Sequence, residues 1–330
     1  MKIMRRTAAL LLTALMLAAP VRAAVEYKDV AKTHWAYTAI GRTEELGLVS
    51  GIGGGRFGLG QKVTRAEYAA MLCRLMGWPT VTPKTGSFAD NQDTKKWYYS
   101  AVETAYANGA LRKIGEDARV NDPLTREELA VMTVRALGYA FLVGIVQDDC
   151  PFTDVSTNRG YIALAYHMGF MNGATANTFA PTGTATREQA AVVLLRVYDA
   201  ICERVARETV SELPEGAVPV ESLDDRSGRV PMCPRAPLEG VYAAALKAGK
   251  GGAVALRVAA YDIATGGTVE PSELESFLAD SATRVYRSTR YESSYATRGD
   301  ETIWFESEGD IAEKVMLCRL LGVKTVYLIQ

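Results

Sequence analysis

A chain of 330 residues with 48% hydrophobic content has room for two packed domains and a connector, which excludes wholesale disorder. Thirty-seven basic against thirty-eight acidic residues leave a formal net charge of −1. With no global field, nucleic acid and anionic membrane are excluded as bulk electrostatic partners, and a charged ligand must meet a local site.

The chain opens with Lys2, Arg5 and Arg6, runs apolar from Ala8 to Ala19, and continues through Pro20, Val21, Arg22, Ala23 and Ala24. Positive, apolar and small-residue regions in that order read as a secretory signal over residues 1–24. A dozen apolar residues fall short of the roughly twenty that span hydrocarbon. No later segment could span, so no membrane crossing is expected once the signal is removed.

Five cysteines, Cys73, Cys150, Cys202, Cys233 and Cys318, cannot all pair within one chain. Cys73 and Cys318 fall in apolar helical patterns and read as buried thiols. With His34 and His167 the sole histidines, no metal site, cofactor site or Cys–His nucleophile is expected.

Three related segments come next, within residues 25–80, 86–140 and 150–200. Each opens with aromatic-x-Asp, at Asp29, Asp90 and Asp154, and runs into a helical pattern closed by Gly47, Gly109 or Gly169, as a left-handed C-terminal position requires. A glycine-rich or polar loop follows, then a signature: Thr64-Arg65-Ala66-Glu67, Thr125-Arg126-Glu127-Glu128 and Thr186-Arg187-Glu188-Gln189. The threonines step by 61 both times, and an amphipathic helix stands behind each signature. Each repeat is therefore helix, loop, helix.

Tyr27-Lys28-Asp29-Val30, His34-Trp35-Ala36 and Val63-Thr64-Arg65-Ala66-Glu67 resemble S-layer homology domains, and the resemblance covers roughly residues 25–200. It implies an all-α triple repeat in a pseudo-threefold arrangement. It also implies a partner, a pyruvylated secondary cell-wall polysaccharide attached to peptidoglycan, and hence a secreted protein held without covalent chemistry at the cell wall or S-layer.

In each signature, threonine and the residue three further on read as a capping box, with Gln189 replacing the glutamate in the third. The arginine is different, because a cation in the first helical turn opposes the macrodipole and gains nothing there. It can be solvated, paired with a neighbouring acid, or part of an anion site built on the helix N-terminus. Arg65, Arg126 and Arg187 are therefore candidate ligand contacts. Asp29 reads as an N-cap and a further candidate contact. Trp35, like Trp97, can stack on a sugar or join the core, and Gly51 opens a loop through which backbone can approach a ligand. The second repeat carries Lys113 where the others carry Gly51 and Gly173, and the third lacks the His–Trp pair, so the first repeat with Arg65 is the preferred groove.

Residues 201–239 hold Pro214, Pro219, Pro231, Pro234 and Pro237 and read as an extended linker. Residues 240–330 read as a small α/β region: a strand within Val254–Tyr261, a helix over Glu270–Ala279 with Pro271 in its first turn, a strand at Thr302–Phe305, then a helix with Ile311, Val315, Cys318 and Leu321 on one face, feeding a strand at Thr325–Ile329. Ile303-Trp304-Phe305-Glu306 through Val326-Tyr327-Leu328 resembles the closing segment of family 18 glycoside hydrolase barrels. That family's Asp-x-x-Asp-x-Asp-x-Glu run is absent, Ile329 stands where a sugar-stacking tryptophan is usual, and about ninety residues cannot close a barrel that takes ~250. A partial or degenerate unit with no catalytic residue is expected. A wall glycan hydrolase targeted by the repeats is the alternative; it needs a carboxylate pair that the sequence does not present, with Asp262, Glu306 and Glu308 as its candidates; an S-layer structural subunit is a third reading. Arg284, Arg287, Arg290 and Arg298 with Tyr286, Tyr291 and Tyr295 form either a sugar or polyanion surface or a solvated strand face.

Overall fold

The structure, a computed structural model, describes residues 26–221, 234, 236–288 and 291–330; the expected signal, Pro231, Cys233 and Arg290 lie outside the described residues. Two compact units divide the chain, one up to Asp199 and one from Ala200. Among the described residues no helix is long and apolar enough to cross a membrane.

The first unit is built of helix pairs: α1 (Tyr37–Glu45) with α2 (Arg65–Met76), α3 (Tyr99–Ala107) with α4 (Arg126–Ala136), and α5 (Arg159–His167) with α6 (Arg187–Cys202). The second helix of each pair starts where the signature predicts. Thr64 accepts from the Glu67 amide while the Glu67 carboxylate accepts from the Thr64 amide, and Thr125 and Glu128 repeat the arrangement, each satisfying two amides that a bare helix end would orphan. In the third box only half is made: Gln189 Oε1 accepts the Thr186 amide at 3.1 Å, and the buried Thr186 hydroxyl has no hydrogen-bond partner. Gly47, Gly109 and Gly169 close the first helices at φ +68°, +77° and +75°.

The first helices start differently from expectation. Their N-caps are Ala36, Tyr98 and Asn158, none with a side-chain bond. Asp29 lies too far before Tyr37 to reach the helix and instead accepts the amides of Phe57 (2.8 Å), Gly58 (2.8 Å) and Leu59 (3.1 Å). Asp90 does the same for Ala118 and Val120, and Asp154 for Phe179 and Ala180. The opening aspartate is thus a staple that fixes the loop ahead of the signature.

The residue before each signature threonine is buried, and the three bond in a closed triangle: Val63 N–H to Ala185 C=O (3.0 Å), Ala185 N–H to Leu124 C=O (2.8 Å), Leu124 N–H to Val63 C=O (2.8 Å). Each repeat therefore holds both of the others by backbone alone.

In the second unit the stretch read as a linker carries structure. β1 (Ala206–Val210) pairs parallel with β8 (Thr325–Ile329), and β2 (Val218–Pro219) pairs parallel with β3 (Ala253–Arg257). The sheet order is β1-β8-β3-β2, so both strands sit at edges, where a proline and an exposed polar run such as Ala206–Val210 are tolerated. α7 (Leu238–Ala248) precedes β3. A second, antiparallel sheet has the order β4-β7-β6-β5, with β4 Tyr261–Asp262, β5 Arg284–Ser288, β6 Ser293–Arg298 and β7 Glu301–Phe305. α8 (Pro271–Ala279), with Pro271 at its first position, packs Phe277 against Ala260, Val269, Ala296 and Ile303. α9 (Glu308–Leu320) starts on a Ser307–Asp310 capping box and feeds β8 through Gly322 at φ +83°.

Candidate functional site

Residues 57, 118 and 179 are held twice over. Their amides are taken by the aspartates of their own repeats, and their carbonyls accept the Nε–H of a signature arginine from another repeat: Arg187 to Phe57 (3.1 Å), Arg65 to Ala118 (2.8 Å), Arg126 to Phe179 (2.8 Å). Burial alone would push the Asp29 carboxyl up, but the amides of Phe57, Leu59 and Gly58 outweigh it and hold the group below the usual carboxylate range. At Asp154 the Phe179 amide is the main cause of the same downward direction. Aspartate and arginine thus clamp one residue through its N–H and its C=O, a role that explains why a cation stands in a first helical turn where the macrodipole disfavours it.

The outer ends of the three guanidiniums differ. Arg65 Nη1 donates to Glu128 Oε1 at 2.6 Å, and Arg187 Nη1 to Glu67 Oε1 at 2.7 Å. Both side chains are buried, 6% exposed each. Burial pushes the Arg65 guanidinium down, and Glu128 opposes that shift. Arg187 also donates through Nη2 to Ser50 C=O at 2.8 Å, and Arg126 makes the equivalent bond to Asn172 C=O at 2.8 Å. Arg126 lies over the Phe179 ring at 4.7 Å as Arg187 lies over Phe57 at 5.3 Å. The acid that would complete the set is replaced by Gln189, and among the described residues Arg126 has no ion-pair partner and Nη1 no hydrogen bond.

That guanidinium lines a cavity of ≈160 Å³ together with Trp35, Asn172, Gly173, Gln189 and Arg196. Trp35 is 63% exposed and Trp97 64%. Neither joins the core, because each precedes its helix rather than lying on the helix's inner face. Arg196 donates to Phe170 C=O at 3.1 Å and brings a second cation to the cavity. Arg196 lies outside the four-residue signature, yet Arg74, Arg135 and Arg196 step by 61 in the same way.

Gly51 and Asp29, both candidate contacts, serve the frame. A Cβ at Gly51 would fall 2.4 Å from Tyr27 Cε1 and 2.6 Å from Arg56 O, and one at Gly173 would fall 2.6 Å from Phe152 Cε1. The glycines let the opening aromatic lie against the loop. Tyr27 in turn bonds the Glu44 carboxylate.

In the C-terminal unit the three candidate carboxylates each engage a different partner. Glu306 is buried on Lys314 and Ser293; burial drives its carboxyl up and the Lys314 amine down, each opposed by the partner's charge. Asp262 holds the turn at Ala264 and Thr265, and the exposed Glu308 meets Arg207 at 3.2 Å. The basic and aromatic surface is similarly committed. Arg287 bonds Asp310 (2.7 Å) and Glu292 (3.0 Å), Arg298 bonds Asp280 (3.1 Å) and Glu301 (2.9 Å), and Tyr286 stacks on Tyr295 at 5.2 Å.

Residues 26–69 and 151–191 match the model of the S-layer homology domain. Among known proteins, an amylopullulanase of Thermoanaerobacterium thermosulfurigenes is 34% identical over 175 residues, 51% of this chain and 9% of its own length. Exoglucanase XynX of Acetivibrio thermocellus is 30% identical over 181 residues, 53% of this chain and 16% of its own. An S-layer protein of Bacillus thuringiensis subsp. finitimus is 27% identical over 206 residues, 59% and 24%. The chain therefore spans a quarter or less of the length of these three relatives.

Proposed function

We propose that this protein, whose residues 26–69 and 151–191 are S-layer homology domains, is held at the bacterial cell surface by non-covalent binding of an acidic secondary cell-wall polysaccharide in the Arg126 cavity. The observation that carries this reading is the open Nη1 edge of Arg126 beside exposed Trp35. A guanidinium offers parallel donors to a carboxylate, and an indole face next to it stacks on a sugar ring. At ≈160 Å³ the cavity is smaller than the ~300–1,000 Å³ that enclose a drug-sized ligand. It suits one pendant group, such as a ketal-linked pyruvate, with the rest of the polymer lying across the surface. The backbone triangle through Val63, Leu124 and Ala185 supports a pseudo-threefold arrangement of three repeats.

Similarity to two glycanases and to an S-layer protein supports an anchor that is indifferent to its cargo. The repeat unit is non-catalytic, and the C-terminal unit is what it displays. Co-sedimentation with purified wall sacculi tests the reading: wild type pellets, while Arg126→Ala protein, or wild type offered walls stripped of pyruvate, stays in solution. Equal pelleting in all three mixtures would sink it.

A further inference from the structure

The junctions of Arg187 and Arg126 share their backbone contacts and differ at one side chain. Arg187 and Arg126 make matching Nε and Nη2 bonds to backbone carbonyls. Nη1 of Arg187 meets the Glu67 carboxylate, whereas the residue at the corresponding place for Arg126 is Gln189. Gln189 uses Oε1 on the Thr186 amide, which leaves its NH₂ half as a donor. The cavity thereby combines donors from Arg126 and Gln189 with the Arg196 guanidinium and contains no carboxylate among its lining residues. In the other two junctions the protein supplies its own anion to the arginine.

We propose that Gln189 is the specificity-determining residue of the anchor: it reserves the junction between the second and third repeats for an anionic substituent, while Glu67 and Glu128 close the other two junctions to one. This rests on the wall-anchoring reading and deepens it. A carboxylate at position 189 would take the Arg126 Nη1 edge for itself and repel an incoming anion. Conversely, a neutral amide at position 67 frees Arg187 in a junction where repeat equivalence places exposed Trp97 in the role of Trp35. Freeing Arg65 by changing Glu128 gives no such site, because Ser156–Arg159 of the third repeat supply no aromatic. The amide is compatible with the cap, since Gln189 already accepts the amide of its own threonine.

Titration calorimetry of the full chain with pyruvylated fragments released from the wall polysaccharide tests this. Wild type is expected to bind with one site, and Q189E to bind at least about tenfold more weakly, a factor that corresponds to one lost favourable contact. E67Q is expected to bind with two sites, and E128Q to remain at one. Unchanged affinity in Q189E, or one site in E67Q with wild-type stability, would overturn the assignment while leaving the anchoring reading standing. Failure of wild type to bind any fragment or sacculus would overturn both.

Discussion

In the repeat unit, Trp35 and Trp97 stand more than 60% exposed and the Arg126 Nη1 edge has no partner among the described residues; in the C-terminal unit, Trp304 is 7% exposed, Lys314 is wholly buried, and Arg284, Arg287 and Arg298 bond carbonyls or carboxylates of their own chain. Both units own the residue types that recognise sugars. What separates them is whether the protein has already satisfied those groups. A buried ion pair gains little net stability, because desolvation offsets the attraction, yet breaking one strands a charge. The C-terminal unit is therefore sensitive to single changes at its charges, and the Arg126 junction is not.

The largest expected effect follows from Lys314. Lys314→Ala leaves Glu306, 5% exposed, without its cation and should destabilise the C-terminal unit by about 3–5 kcal/mol. Hydrogen exchange of the β6 and β7 amides reads this out. Lys314→Met combined with Glu306→Leu should recover most of the loss, since no charge is then stranded. An unaltered exchange pattern in Lys314→Ala would mean that this unit does not depend on the pair.

Next comes a contrast within the repeat unit. Arg187→Ala and Arg126→Ala remove the same two backbone bonds, but only the first also breaks an ion pair, so their difference isolates the Glu67 contact. Arg187→Ala should cost about 1–3 kcal/mol more in urea denaturation, and wall binding should fall only in Arg126→Ala. Equal destabilisation would show that the Nη1 edges are equivalent, and the distinction between junctions would collapse.

Much of this frame is legible in the residues themselves. Capping boxes, closing glycines and the step of 61 are local, and so are Pro271 at the start of α8 and the helical face of Ile311, Val315 and Cys318. The partners of the arginines are not local. Glu128 stands 63 positions from Arg65 and Glu67 stands 120 from Arg187, so sequence offers the choice between a paired and an open guanidinium without deciding it. The preference for the first repeat rested on its His–Trp pair and its glycines. In the folded chain Trp35 of that repeat lines the cavity of Arg126, and Gly51 makes room for Tyr27. β1 was equally hidden, because an edge strand with the pattern Ala-Arg-Glu-Thr-Val has no buried face to announce it.

The smallest expected effect sits on the threonines, and it distinguishes the third signature from the first two on stability alone. Thr125 Oγ1 accepts the Glu128 amide at 3.1 Å, so Thr125→Val orphans a helix amide and should cost about 1 kcal/mol. Thr186 is different, because its hydroxyl is buried and makes no hydrogen bond. Thr186→Val replaces an unsatisfied polar atom by a methyl of similar size, and folding no longer desolvates a hydroxyl for nothing in return. The expected change is zero or a small gain, read as the difference between the two urea midpoints. A loss at Thr186 equal to that at Thr125 would show that the third box is fully made. The Thr186 hydroxyl would then hold the backbone amide of residue 189 as Thr125 holds that of Glu128, and the three signatures would be equivalent as caps.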